Sequence, residues 1–185
     1  MQTETHVDLF HYLPPPQPRL GSLTEWSITH IREVFEARSD DDALRAIEST
    51  FAERLEGTVN GAPLSRPQVA QMVLAMRRTA PMGLRVEWMQ AQEAPRDISC
   101  RDGSLGGMYV IRGIQRPTPS GSPASFERHK TVEVRYASSI GFPYAHPDDH
   151  HRIESQLPDP RLDSRRITSL VFVASEVRVD RQTAL

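Results

Sequence analysis

The chain has 185 residues, and 22 Lys and Arg against 24 Asp and Glu leave a formal net charge of −2. That length suggests one domain with extensions, enough to bury roughly two-thirds of the surface of the unfolded chain. The near-balanced charge argues against a nucleic-acid partner or an anionic membrane surface, and no apolar run is long enough to span a bilayer.

Residues 1–21 form an arm with Pro14, Pro15, Pro16 and Pro18 behind His6, Leu9, Phe10 and Tyr12. The prolines favour an extended polyproline II form. The residues leave two readings open: a frayed tail, or an arm whose aromatic residues dock on the body or on a second subunit. The charged start and long apolar stretch of a signal peptide are not seen in this arm. Cys100 is the single cysteine. No internal disulfide can form, and a reducing compartment, cytoplasmic or nuclear, is the expectation.

The first helix should begin at Ser22, which with Glu25 makes a capping box. Ile28, Ile31 and Phe35 then recur on one face, flanked by Val34. A second helix should follow Ser39, where Asp40, Asp41 and Asp42 suit the positive end of the helix dipole. Leu44, Ile47, Phe51 and Leu55 read as its apolar stripe, with Gly57 as its stop. Asn60-Gly61 fits a tight turn after a very short strand. Ser65, Pro67 and Gln68 mark a third helix, with Val69, Met72, Val73 and Met76 on its buried face.

Strands dominate from there on. Residues 84–91 alternate apolar and polar, 106–115 and 126–136 read as a hairpin, and 166–179 is the most β-prone stretch. Between Ser138 and Arg165 lies a polar, proline-bearing insertion of about residues 138–165, and 181–185 reads as a C-terminal tail. Helices first and long strands afterwards imply an α+β domain over 22–180, its curved sheet wrapped around three helices and enclosing a conical cavity.

That order, helix–helix–strand–Asn-Gly turn–helix–long antiparallel strands, resembles the nuclear transport factor 2-like (NTF2-like), or SnoaL-like, superfamily. VNGAPLSRPQV is similar to the segment that links the first strand to the third helix. VEWMQAQEAP, LGGMYVIRG and RRITSLVFVASEV resemble the later strands, as in many small fungal proteins of the group. The resemblance implies three N-terminal helices on a strongly curved antiparallel sheet, a cone-shaped pocket and dimerisation through the sheet. The superfamily spans isomerases, dehydratases, polyketide cyclases, transport adaptors and scaffolds, so the fold fixes no activity. Its enzymes usually place Asp–His or Tyr–Asp–His sets in the cavity. No segment here matches such a set residue by residue.

The candidate site residues come from the alternation of strand 126–136. Phe126, Arg128, Lys130, Val132, Val134 and Tyr136 share one face; Glu127, His129, Thr131, Glu133 and Arg135 share the other. His129, the one histidine inside an expected strand, is the candidate proton-transfer residue. An Arg112–His129–Glu133 surface ladder is the competing, structural role. Trp88, Tyr109 and Tyr136, with Phe35 and Met72 above them, are the expected lining of a pocket for a small hydrophobic or planar molecule. Lys130 is out of place beside Val132 and Val134, and is expected at the rim or against an anionic ligand.

His146-Pro147-Asp148-Asp149-His150-His151 gathers ligand-type side chains, but its spacing fits no metal motif and no metal is expected there. Cys100, with Arg96 and Arg101 nearby, carries no nucleophile signature. No cofactor motif occurs. Two functions stay open: a binding or dimerisation module, or an isomerase, cyclase or dehydratase working by acid/base catalysis. Strand 166–179 is apolar on both faces, with Val171, Val173 and Val177 on one and Leu170, Phe172 and Ala174 on the other. One of these rows needs a partner beyond the helices: a homodimer through the sheet would supply it, and the competing reading is that the 138–165 insertion or the N-terminal arm covers that face within one chain.

Overall fold

A computed structural model describes residues 20–138 and 163–179. In chain order the elements are α1 (Leu23–Phe35), α2 (Asp40–Thr50), β1 (Phe51–Val59), β2 (Ala62–Leu64), α3 (Arg66–Arg78), β3 (Arg85–Pro95), β4 (Gly103–Pro117), β5 (Pro123–Ser138) and β6 (Arg165–Val179). The strands form one six-stranded sheet in the order β2-β1-β6-β5-β4-β3. All neighbours run antiparallel except β1 and β6, which are parallel. The three helices cover one face of this sheet, and the core lies between them. This is an α+β fold. No described helix is long and apolar enough to cross a membrane. The 1–19 arm, most of the 138–165 insertion and the 146–151 cluster lie outside the described residues.

The helix starts follow their local chemistry. Ser22 and Glu25 close the capping box in both directions. Ser39 Oγ accepts the Asp42 amide at 3.0 Å at the head of α2. In α3, Gln68 reaches back to the Ser65 amide at 2.7 Å. Arg165 ties the entry to α1 to the loop before β4. Its guanidinium grips Asp163 and donates to the carbonyls of Gly21 at 2.8 Å and Cys100 at 3.0 Å.

The second helix is shorter than its apolar spacing suggests. It ends at Thr50, and Phe51 and Leu55, both buried, belong to β1. A register shift between Phe51 and Glu56 interrupts β1. Four residues apart, Phe51 and Leu55 fall on one face of a strand as well as of a helix, and with Glu53 exposed between them the spacing mimics a helix. Gly57 is therefore no helix stop. A Cβ there would lie 2.7 Å from the Leu64 carbonyl and 3.2 Å from that of Leu170, so only glycine fits between the neighbouring strands. Leu44 is 37% exposed, outside the buried stripe of Ala43, Ile47 and Thr50. Asn60 (φ 49°) and Gly61 (φ 81°) make the tight turn from β1 to β2.

The later strands occur where alternation puts them, each longer than expected. The hairpin of β4 and β5 keeps its register from Pro117–Pro123 to Gly103–Tyr136, apart from a shift between Ile111 and Ile114. That irregularity moves Arg112 out of the row of His129, whose partner is Val110. Arg112 instead bridges Glu87, at 2.8 Å, and Glu127. The expected ladder is thus an Arg112–glutamate bridge, and Glu133 has no part in it.

Candidate functional site

The interior of the fold is built on β5. Lys130, Val132, Val134 and Tyr136 are buried, while His129, Thr131, Glu133 and Arg135 between them are exposed. Alternation thus delivers one row to the helices and the other to solvent. The inward rows of β3 and β4 add Val86, Trp88, Leu105, Tyr109 and Ile111, and α1 adds Trp26, Ser27, Ile31, Val34 and Phe35.

The expected aromatic residues do meet there. The Trp88 and Tyr109 rings are 4.8 Å apart, and Phe35 and Tyr109 are 6.5 Å apart. Gly107, the inward residue next to Tyr109 on β4, makes space for the indole: a Cβ would stand 2.8 Å from Trp88 Cζ3. Tyr136 meets Trp26 edge-on at 5.3 Å and shares a short hydrogen bond with Ser27, whose hydroxyl also donates to the Leu23 carbonyl. Burial raises the pKa of both Tyr109 and Tyr136, so both phenols stay protonated at any physiological pH. Trp88 Nε1 is buried with no hydrogen-bond partner among the described residues.

The space these groups enclose is small. A cavity of about 10 Å³ is lined by Ser27, Ile31, Trp88, Leu105, Tyr109 and Tyr136 with their aliphatic neighbours. That is room for about one water molecule. The cone is filled by its own side chains. Met72 is not part of the lining; it is half-buried on α3, packed against the edge of the core.

Lys130 is not at a rim. It is only 4% exposed, and its Nζ sits among three rings, 4.4 Å from the centre of Phe172, 4.8 Å from Phe35 and 5.6 Å from Tyr109. It makes no hydrogen bond or ion pair with a described residue. Burial, with a smaller contribution from the Arg128 charge, lowers its pKa from 10.5 to about 7. The ring faces favour the charged form and offset part of that cost. The sequence held a further signal: Lys130 is the only lysine in the chain, and all its other cationic Lys/Arg positions are arginine.

His129 stands on the opposite face of β5 from Lys130. Its side chain is 48% exposed, with Nε2 3.5 Å from Glu127 Oε2. It cannot serve as the proton-transfer residue of the interior, because one step along a strand reverses the face. The outer sheet face also carries an open trough of about 710 Å³, with Gln90, Met108, Thr131, Glu133, Val171 and Val173 among its walls and His129 outside it. Val171 is 47% exposed and Val173 64%, whereas Leu170 and Phe172 are buried under the helices. This settles which row of β6 faces outward.

No protein-family model matches the sequence, and no curated protein sequence does. Several solved structures have a similar fold. A putative isomerase of the SnoaL-like family from Agrobacterium tumefaciens overlaps 82% of this chain and 96% of its own, at 11% identity and a TM-score of 0.46. A hexachlorocyclohexane dehydrochlorinase from Novosphingobium barchaimii overlaps 88% and 96%, at 9% identity and a TM-score of 0.47. An NTF-2-like protein of unknown function from Pseudomonas aeruginosa overlaps 82% and 94%, at 18% identity and a TM-score of 0.40. These are likenesses at low identity, and no activity passes from these proteins to this chain.

Proposed function

We propose that the protein is an NTF2-like binding module in which two copies pair through the outer face of the sheet. The observation that carries this is the row Val171, Val173, Val177 and Val179 on β6, each 37–64% exposed, with Met108 (43% exposed) across Thr131. A solvated sheet face normally alternates to polar residues, and a β-branched row left in water is a sticky patch. A two-fold axis uses the same patch twice. Glu133 and Arg135 share this outer face, so the axis can set the carboxylate of one copy against the guanidinium of the other. A cytoplasmic or nuclear location, expected from the lone cysteine, forms part of the same proposal. Sedimentation at micromolar concentration tests the pairing: the wild type should run as a dimer and Val173→Asp as a folded monomer. A monomeric wild type rejects it.

A SnoaL-like acid/base enzyme acting on a small planar or hydrophobic molecule is the alternative function. One observation favours it, the Trp88 N–H that lies buried beside Tyr109 without an acceptor among the described residues.

A further inference from the structure

The least explained group in the molecule is the amine of Lys130. A buried cation ordinarily has a carboxylate or carbonyl beside it. Here the Nζ has three aromatic rings and no described hydrogen-bond or ionic partner. Arginine cannot give up its proton inside a protein, whereas lysine can. A chain that uses arginine at every other such position keeps its single lysine at a buried place. Low-polarity surroundings and the neighbouring Arg128 charge both favour the neutral, nucleophilic amine. The surrounding rings suit a flat apolar body. A neutral amine is a nucleophile towards a carbonyl carbon, and with the ring faces around it this points to a planar molecule that carries a carbonyl group.

We propose that the interior of the cone captures a small planar aldehyde or ketone as an imine on Lys130. The Nζ lone pair forms the C–N bond as the carbonyl π bond breaks onto oxygen. Nitrogen gives up its two protons, the oxygen leaves as water, and the C=N bond remains. One amine and one carbonyl become one imine and one water, with no oxidant or reductant required. The amine is packed against the Phe35, Tyr109 and Phe172 rings, outside the small interior cavity, so a ligand reaches it only as these rings move aside. Nothing in this proposal depends on the pairing of two copies, since Lys130 and the Val171–Val179 row occupy opposite faces of the sheet.

The single lysine makes the test direct. The folded full-length protein is incubated at pH 7 with benzaldehyde and cyanoborohydride, which fixes an imine as a benzyl amine, and the product is mapped by peptide mass spectrometry. The α-amino group of the same chain is the internal standard. The expected result is benzylation of Lys130 at least severalfold faster than of the α-amine, and its loss in Lys130→Met. Circular dichroism recorded during labelling shows that the fold is intact. Labelling of the α-amine alone, or labelling of Lys130 only after unfolding in urea, overturns the proposal.

Discussion

Lys130→Met should stabilise the protein, and the gain should shrink as the pH rises. The unfolded chain takes up the lysine proton at 10.5, the native chain at about 7. Between those values the unfolded state holds more protons, so wild-type stability climbs with pH across that window. Below about 7 both states are protonated, and the full cost of the buried charge stands. At 1.36 kcal/mol per pKa unit, and with half of the native molecules neutral at pH 7, the cost there is about 4 kcal/mol. By pH 9.5 the same relation leaves about 1 kcal/mol. Methionine fills a similar volume, is unbranched and packs well against rings. The variant should therefore gain roughly 3–4 kcal/mol at pH 7, on the order of 10 °C in Tm for a chain of this size. Its advantage should narrow by about 3 kcal/mol at pH 9.5. Urea denaturation of both proteins at pH 6, 7, 8 and 9.5 measures this; the tyrosine ionisation that begins in the unfolded chain at the top of that range is common to both proteins and cancels in the difference. A variant no more stable than the wild type, or an advantage that does not change with pH, would refute a buried amine held near neutrality.

Two further substitutions probe how the interior is held. Arg165→Met removes the guanidinium that grips Asp163 and caps the Gly21 and Cys100 carbonyls, and it leaves an unpaired carboxylate; it should cost about 3–5 kcal/mol by urea denaturation. Gly107→Ala drives a methyl group to 2.8 Å from Trp88 Cζ3 and 2.9 Å from the Gln90 carbonyl, so it should cost about 1–3 kcal/mol and shift the indole fluorescence; an unchanged spectrum and stability would mean that the indole does not lie against β4.

Local chemistry made the helix starts legible in the sequence. Ser22 with Glu25, the acids after Ser39 and Asn60-Gly61 each act within four residues, and the fold keeps all of them. Alternation placed Lys130 and Tyr136 on one face of β5, which is correct, because that strand is regular up to its end. It fails where a pattern is shared or broken: Phe51 and Leu55 lie four apart, a spacing that fits a helix as well as a strand, and an irregular stretch of β4 separates Arg112 from His129. The outward face could not be read from β5 or β6 alone, since parity defines two rows and only packing against the helices selects between them. For β6 both rows are apolar, so hydrophobicity was no guide. His129 has the residue type of a proton carrier, but its side chain faces solvent rather than the interior. Lys130 stands out for its apolar neighbours, yet the stronger signal is its being the chain's only lysine, a property of the whole sequence rather than of any window.

The two faces of β5 and β6 also separate the two proposals physically. Val173 pairs in register with Thr131, one residue beyond Lys130, and Ala174 pairs with Lys130 itself. The exposed valine row and the buried amine are thus one residue apart along the same strands and a sheet thickness apart in space. A substitution on the outer row removes apolar surface from the trough without touching the rings around the amine, and Phe172, which does touch them, is itself buried. Pairing of copies and chemistry at Lys130 can therefore succeed or fail independently. A monomeric protein would still have its neutral amine, and an inert amine would leave the valine row just as exposed. If labelling of Lys130 did follow dimerisation, the link would have to run through the backbone of β5 and β6, because no side chain reaches both faces.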